Sequence, residues 1–273
     1  MPFRSLLFAG ANRPDLVGKV DRAGADAAVV DLEDAVPAAS KKEAREALPD
    51  LIEKVQKTPV LVRVNGARTQ WFADDLAAVA DLPSIAGVVI AKAEQPDDIR
   101  SVVRRLRDGA VVLAGIESAR GVADAEALLV AGATHCYFGA EDYVADIGGR
   151  RTRAGDEVIY ARSRVALAAR LAGVAAIDQV VVAYRDDQMF EQDAEAGRAI
   201  GYRGKLCIHP SQVPIANRVF SPSRAELERA HGILAAWEEG LKRGVAAVVF
   251  EGEMVDGPAV RMARDVVSRA QEP

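Results

Sequence analysis

The sequence predicts an α/β fold, a (β/α)8 TIM barrel of eight parallel strands with a C-terminal helical extension. Three observations predict it. Short apolar runs recur near residues 5–9, 27–31, 60–64, 87–91, 111–116, 135–139, 179–183 and 205–208, with helical segments between nearly all of them. That alternation is how parallel sheets are connected. Five runs carry charge at or near their ends: Val29-Val30-Asp31-Leu32-Glu33-Asp34, Val60-Leu61-Val62-Arg63-Val64-Asn65, Val88-Val89-Ile90-Ala91-Lys92, Val112-Leu113-Ala114-Gly115-Ile116-Glu117 and Tyr137-Phe138-Gly139-Ala140-Glu141-Asp142. A charge at the end of a buried strand is costly unless paired or used, and barrels gather such groups at one rim. Finally, no glycine fingerprint follows the first strand, as an open nucleotide-binding sheet would carry.

The elements follow in order. Pro14 and Pro96 suit first-turn positions of helices, and residues 38–56 are rich in helix formers. Residues 120–131, 156–172 and 187–200 continue the alternation, and Gly132, Gly173 and Gly201 stand where left-handed caps are expected. Beyond the eighth strand, Ser223 and Glu226 form a capping box for a long helix over 223–241. An apolar run at 245–250, turn glycines at Gly252 and Gly257, and a last helix from Pro258 complete the chain. Trp237 and Phe250 mark this tail as packed rather than as a linker. The expected division is a barrel over 1–215 and an extension over 216–273, packing on the barrel or on a neighbouring subunit.

Composition narrows the function. Half of the 273 residues are hydrophobic but only 5% are aromatic, so the core is built from Ala, Val, Leu and Ile. A net charge of −5 argues against a nucleic-acid partner. No apolar run approaches the roughly 18 residues of a membrane span, and the run from Leu6 to Ala11 is too short for a signal segment. A cytoplasmic protein is expected, with Cys136 and Cys207 as buried thiols. Phosphate-loop, serine-elbow and His-Glu-x-x-His motifs are all absent.

The charged strand ends carry the chemistry. Glu117 and Asp142 come from adjacent strands and suit a hard cation, Mg²⁺ over Ca²⁺ because so few protein oxygens are on offer. Alternatively, each pairs with an arginine such as Arg120. Arg63 alternates with Val62 and Val64 on a buried strand. It either serves Glu33, Asp34 or Glu117 structurally or clamps a substrate carboxylate in its fork. Lys92 could be a Schiff-base lysine, but a charge partner for carboxylates is the favoured role. Asp31, Glu33 and Asp34 support these cations, and His209-Pro210 closes the last strand.

As an ordered set, these motifs resemble the citrate lyase beta subunit-like proteins of the HpcH/HpaI aldolase superfamily. The matching stretches are Phe8-Ala-Gly-Ala-Asn-Arg-Pro14, Val30-Asp-Leu-Glu-Asp-Ala-Val36, Val62-Arg-Val-Asn65, Ala91-Lys-Ala-Glu94, Ile116-Glu-Ser-Ala-Arg-Gly121, Gly139-Ala-Glu-Asp142, Cys207-Ile-His-Pro210 and Phe250-Glu-Gly-Glu-Met-Val-Asp256. Gly10 and Ala91 stand where members of the family often carry proline.

The resemblance implies a barrel, a homotrimer or dimer of trimers, that cleaves or forms a C–C bond in β-hydroxyacyl-CoA thioesters with Mg²⁺. It implies Glu117 and Asp142 as metal ligands and Arg63 as the group that binds the keto-acid carboxylate. Gly139 and Ala140 would line the substrate. Arg13, Ile208 and His209 would touch coenzyme A, and Asp256 would act as an acid/base in a neighbour's site. Other readings are a class II aldolase on free pyruvate-derived hydroxy acids and a degenerate barrel that binds CoA metabolites. The thioester carrier, coenzyme A or an acyl-carrier protein, stays open.

Overall fold

The computed structural model describes residues 3–80 and 82–271. Eight parallel strands close into a barrel: β1 (Ser5–Gly10), β2 (Ala27–Asp31), β3 (Val60–Val64), β4 (Gly87–Ile90), β5 (Val111–Ile116), β6 (His135–Phe138), β7 (Ala175–Asp178) and β8 (Gly204–Cys207). Each strand pairs with its successor, and β8 returns to β1 through Ser5↔Lys205, Leu6↔Leu206 and Leu7↔Cys207.

Side chains alternate between the two faces of each strand. Leu6, Ala27, Val29, Leu61, Val89, Leu113, Tyr137, Ile177 and Leu206 therefore meet inside the barrel, each buried. Counting two residues onward from this layer reaches Phe8, Asp31, Arg63, Gly115 and Gly139 on the same inward face. The barrel's interior thus passes from an apolar floor to a charged rim over a single repeat of the pleat.

The seventh strand corrects the expectation of 179–183. It runs over Ala175–Asp178, which pairs with β6 and β8, and the Val-rich run lies past its end with Val182 exposed. Hydrophobicity marked the segment, but the ladder is held four residues earlier by a buried charge network. Asp178 accepts from Arg162 Nε at 2.8 Å and from Lys205 Nζ at 2.8 Å, and Asp193 accepts from Lys205 Nζ at 2.5 Å.

Helices cover the strands, and several are shorter than their composition suggested. Residues 38–56 break into Ala38–Ser40, Lys41–Glu46 and Leu48–Glu53, with Pro49 in the first turn of the last. Residues 120–131 divide at Asp124 into Ala119–Ala123 and Ala125–Leu129. Pro14 and Pro96 do occupy first-turn positions, and Gly173 caps Ile159–Ala172 with a left-handed φ of 71°.

The chain divides into two compact units, one running to residue 217 and one from residue 218 onward. In the second unit, Arg224–Lys242 starts at Ser223 with both hydrogen bonds of the capping box to Glu226. The run at 245–250 forms a strand only over Val248–Phe250 (β9), antiparallel to Glu253–Val255 (β10), and the final helix covers Gly257–Gln271. No helix among the described residues is long and apolar enough to cross a membrane.

Candidate active site

The charged rim is one connected system. Asp31 and Arg63 are register partners on β2 and β3, so their inward side chains meet directly. Arg63 donates Nε to Asp31 Oδ1 at 2.6 Å and Nη2 to Oδ2 at 2.7 Å, and Glu33 lies 3.3 Å from Nη2. Asp31 also accepts from the Glu33 and Ala35 backbone N–H groups. Glu33 is among the partners expected for Arg63, but the forked bond goes to Asp31 because strand register sets the two opposite each other. Asp34 and Glu117 make no direct ion pair with this guanidinium. The guanidinium stacks 5.1 Å over the Phe8 ring, which completes its cover. Its Nη1 has no hydrogen-bond partner among the described residues.

Lys92 follows β4 and takes a left-handed backbone, φ 50°, rare for a residue with a side chain. That turn lets one residue serve two neighbours. Its N–H donates to Glu117 Oε1 at 2.8 Å, while its ammonium reaches Glu33 at 2.5 Å, Asp34 at 3.2 Å and Asp142 at 3.3 Å. Burial alone would lower the Lys92 ammonium, but its hydrogen bond to Glu33 and three carboxylate charges hold it above its ordinary value. A Schiff-base lysine needs a neutral amine at working pH, so Lys92 is the charge partner. Burial raises Glu33 despite Arg63 and Lys92, whereas these cations bring Asp34 below its ordinary value against its own burial.

Glu117 is buried as well. It follows β5 directly and is 3% exposed, with Tyr137 Oη donating to its Oε1 at 2.6 Å beside the Lys92 N–H. Its Oε2 accepts no hydrogen bond among the described residues. A Cβ built on Gly139 would lie 2.5 Å from that Oε2, so the absence of a side chain there leaves the oxygen room. Burial pushes the Glu117 acid up to about 7, against the pull of Arg63, Tyr137 and the Lys92 N–H; the nearby charge of Asp142 adds to the rise. Asp142 lies in the first turn of the helix Ala140–Asp146, half-exposed, with Lys92 as its ion-pair partner. Arg120, the alternative partner for these carboxylates, instead pairs with Asp124 at 3.3 Å.

The donor set fits a small hard cation. Glu117 and Asp142 are both carboxylates, one with a free oxygen in a cradle cleared by glycine. Among the described residues no group of three or more His, Cys, Asp or Glu is arranged as a metal cage. Two protein carboxylates with the remaining positions left to water and substrate is the pattern of a Mg²⁺ site.

The other expected residues lie apart from this cluster in their bonding. Gly139 N–H donates to Ile116 C=O and Ala140 is buried at the start of its helix. Arg13 is exposed with its fork on Asp15 at 3.0 and 3.1 Å. Gln212 Oε1 accepts from the Ile208 and His209 N–H groups, and the His209 ring packs 5.1 Å from Tyr184. Asp256 belongs to the second compact unit, where its Oδ1 lies 3.5 Å from Ala259 N. Tyr137 went unnoticed in the sequence because it reads as a core aromatic; its inward register, two residues before Gly139, is the signal that marks it.

The model of the HpcH/HpaI aldolase/citrate lyase family matches residues 4–210. The chain belongs to that family. It is an enzyme of the lyase class that the family defines. A citrate lyase subunit beta-like protein of Deinococcus radiodurans is 46% identical over 275 residues, covering 97% of this chain and 96% of the relative. A (3S)-malyl-CoA thioesterase of Cereibacter sphaeroides is 33% identical over 99% of this chain and 95% of its own length. The crystal structure of CitE from Mycobacterium tuberculosis in complex with magnesium, acetoacetate and coenzyme A superposes with a TM-score of 0.84 at 33% identity, covering 98% of both chains.

Proposed function

We propose that this member of the family is a Mg²⁺-dependent carbon–carbon lyase that cleaves, or in reverse forms, a β-hydroxyacyl-CoA thioester such as citryl-, malyl- or citramalyl-CoA. The products are an acyl-CoA and a keto acid. The observation that carries the reading is the rim cluster: a buried Glu117 with one free oxygen, Asp142 beside it, and a guanidinium with one free nitrogen. The relatives named for citrate lyase and malyl-CoA, and the magnesium and coenzyme A in the CitE crystal structure, support it.

Glu117 and Asp142 would hold the cation, which supplies a Lewis acid that acidifies the β-hydroxyl and screens the substrate carboxylate. Arg63 receives that carboxylate on its Nη1 end, with Asp31 fixing the guanidinium plane from the other side. The hydroxyl proton passes, directly or through water, to the carboxylate of Asp256, which acts in a neighbouring subunit of a homotrimer or dimer of trimers. The carbinol oxygen becomes the keto oxygen, and the C–C bonding pair passes to the thioester as an enolate. The protonated Asp256 then returns that proton to the enolate carbon. Gly139 and Ala140 line the substrate, and Arg13, Ile208 and His209 meet coenzyme A. The reading implies a cytoplasmic enzyme, where such thioesters are made and consumed.

The test is a panel of citryl-, malyl-, citramalyl- and hydroxymethylglutaryl-CoA, with Mg²⁺ or with EDTA, scored for keto acid and for free thiol. Keto acid released only with Mg²⁺, and without free thiol, is the expected result. Free thiol without keto acid would mean thioester hydrolysis, the activity named for the 33%-identical Cereibacter relative. Cleavage of free hydroxy acids would mean an aldolase, and binding of CoA thioesters without turnover a degenerate barrel.

A further inference from the structure

Tyr137 is the largest side chain buried in the barrel core. A tyrosine in an apolar core needs a partner for its hydroxyl, and phenylalanine would fill the same space without that demand. Here the partner is Glu117 Oε1, at 2.6 Å. Two further features are arranged around that one bond. A Cβ built on Gly115 would lie 2.4 Å from Glu117 Oε1 and 2.5 Å from Tyr137 Oη, so the bond forms only because position 115 has no side chain. The Lys92 N–H reaches the same Oε1 from the other strand, at 2.8 Å. Both donors therefore hold one oxygen, and the other faces the space cleared by Gly139.

We propose that Tyr137 is a positioning residue for metal binding: its hydroxyl pins Glu117 Oε1 and thereby presents Oε2 to the cation. Without the hydroxyl, the Lys92 N–H alone holds Oε1, and the carboxylate is freer to rotate about its last torsion, which is broad and roughly two-fold. Partners that orient a metal ligand typically contribute 10- to 100-fold in affinity. The inference rests on the reading of Glu117 as a metal ligand, and its test separates the two.

The experiment measures Mg²⁺ and Mn²⁺ affinity of the full-length protein by titration calorimetry, with thermal melts in EDTA alongside. Glu117→Gln should abolish binding. Tyr137→Phe should weaken it about tenfold or more, raising the activation constant for Mg²⁺ while leaving the KM for the thioester nearly unchanged at saturating metal. An affinity for Tyr137→Phe within twofold of wild type, with Glu117→Gln inactive in binding, would overturn the role of Tyr137 and spare the metal site. Wild-type affinity in Glu117→Gln would overturn both.

Should Tyr137→Phe not fold, the intact protein answers through tyrosines labelled at Cζ. One resonance should move on Mg²⁺ addition and persist in Tyr143→Phe, Tyr160→Phe, Tyr184→Phe and Tyr202→Phe. Absence of any such shift would overturn the proposal.

Discussion

Glu117 ties the acidity of the site to its use. Its acid is pushed up to about 7, so below that pH a proton occupies the carboxyl that a cation needs. Mg²⁺ affinity should rise roughly tenfold per pH unit up to about pH 7 and then level off. Calorimetry in buffers of different ionisation enthalpy measures both the affinity and the proton released; an affinity flat from pH 5.5 to 8 would contradict the assignment. The same shift has a stability consequence of fixed sign. The folded acid at about 7 lies above its ordinary 4.5, so its stabilising contribution is present below 4.5 and lost as the pH rises through 7. Metal-free protein should accordingly show a falling contribution in urea melts across that window, and added Mg²⁺ should offset it. Arg63 is the second residue with a defined demand. Its forked bond to Asp31 and its free Nη1 both depend on a planar guanidinium, so Arg63→Lys should lower kcat/KM about 100-fold while Mg²⁺ affinity holds.

At the scale of elements, the strands read more clearly than the helices. Seven of the eight barrel strands fall where apolar runs ended in charge or turn, because a strand buried on both faces declares itself by composition. The seventh did not, since β7 is held by Asp178, Arg162, Lys205 and Asp193, which a hydrophobicity pattern counts as breaks. Helix lengths were overread where Pro49 and Asp124 interrupt good helix formers. The rim was legible as a set of charges, but not as pairs. The Asp31–Arg63 bond follows from strand register, and Tyr137 from inward facing, neither of which a single sequence states. The buried network gives a test of its own. Lys205→Met strands Asp178 and Asp193 with fewer cations, and should cost about 3–5 kcal/mol in urea unfolding. A loss below about 1 kcal/mol would mean the network behaves like a surface pair.

For the whole molecule, the question is where one active site ends. Glu117, Asp142 and Arg63 belong to the unit that ends at residue 217, whereas Asp256 belongs to the unit that follows. If Asp256 serves a neighbouring copy, a mixture of two inactive proteins has a definite outcome. Asp256→Asn and Glu117→Gln subunits, exchanged under mild denaturation, should regain a substantial fraction of wild-type turnover, since some sites then combine an intact rim with an intact Asp256. Mixtures as inactive as their parents would place the whole site within one chain. Family membership covers residues 4–210, so this assay asks about the part of the protein that the family model leaves out.

The seam between β7 and β8 has a further consequence. It holds two register pairs, where every other seam of the barrel holds three to five, and one of the two is Asp178 against Lys205. The cylinder is therefore fastened at its narrowest joint by charge more than by ladder. Asp193, in that clasp, is raised by burial but drawn below its ordinary value by Lys205 and Arg162. Its contribution is present above the ordinary carboxylate range and lost as the pH falls through the lower folded value. Acid should thus loosen this seam before the others, so amide hydrogen exchange in β7 and β8 should speed up ahead of the strands that carry the rim as the pH falls.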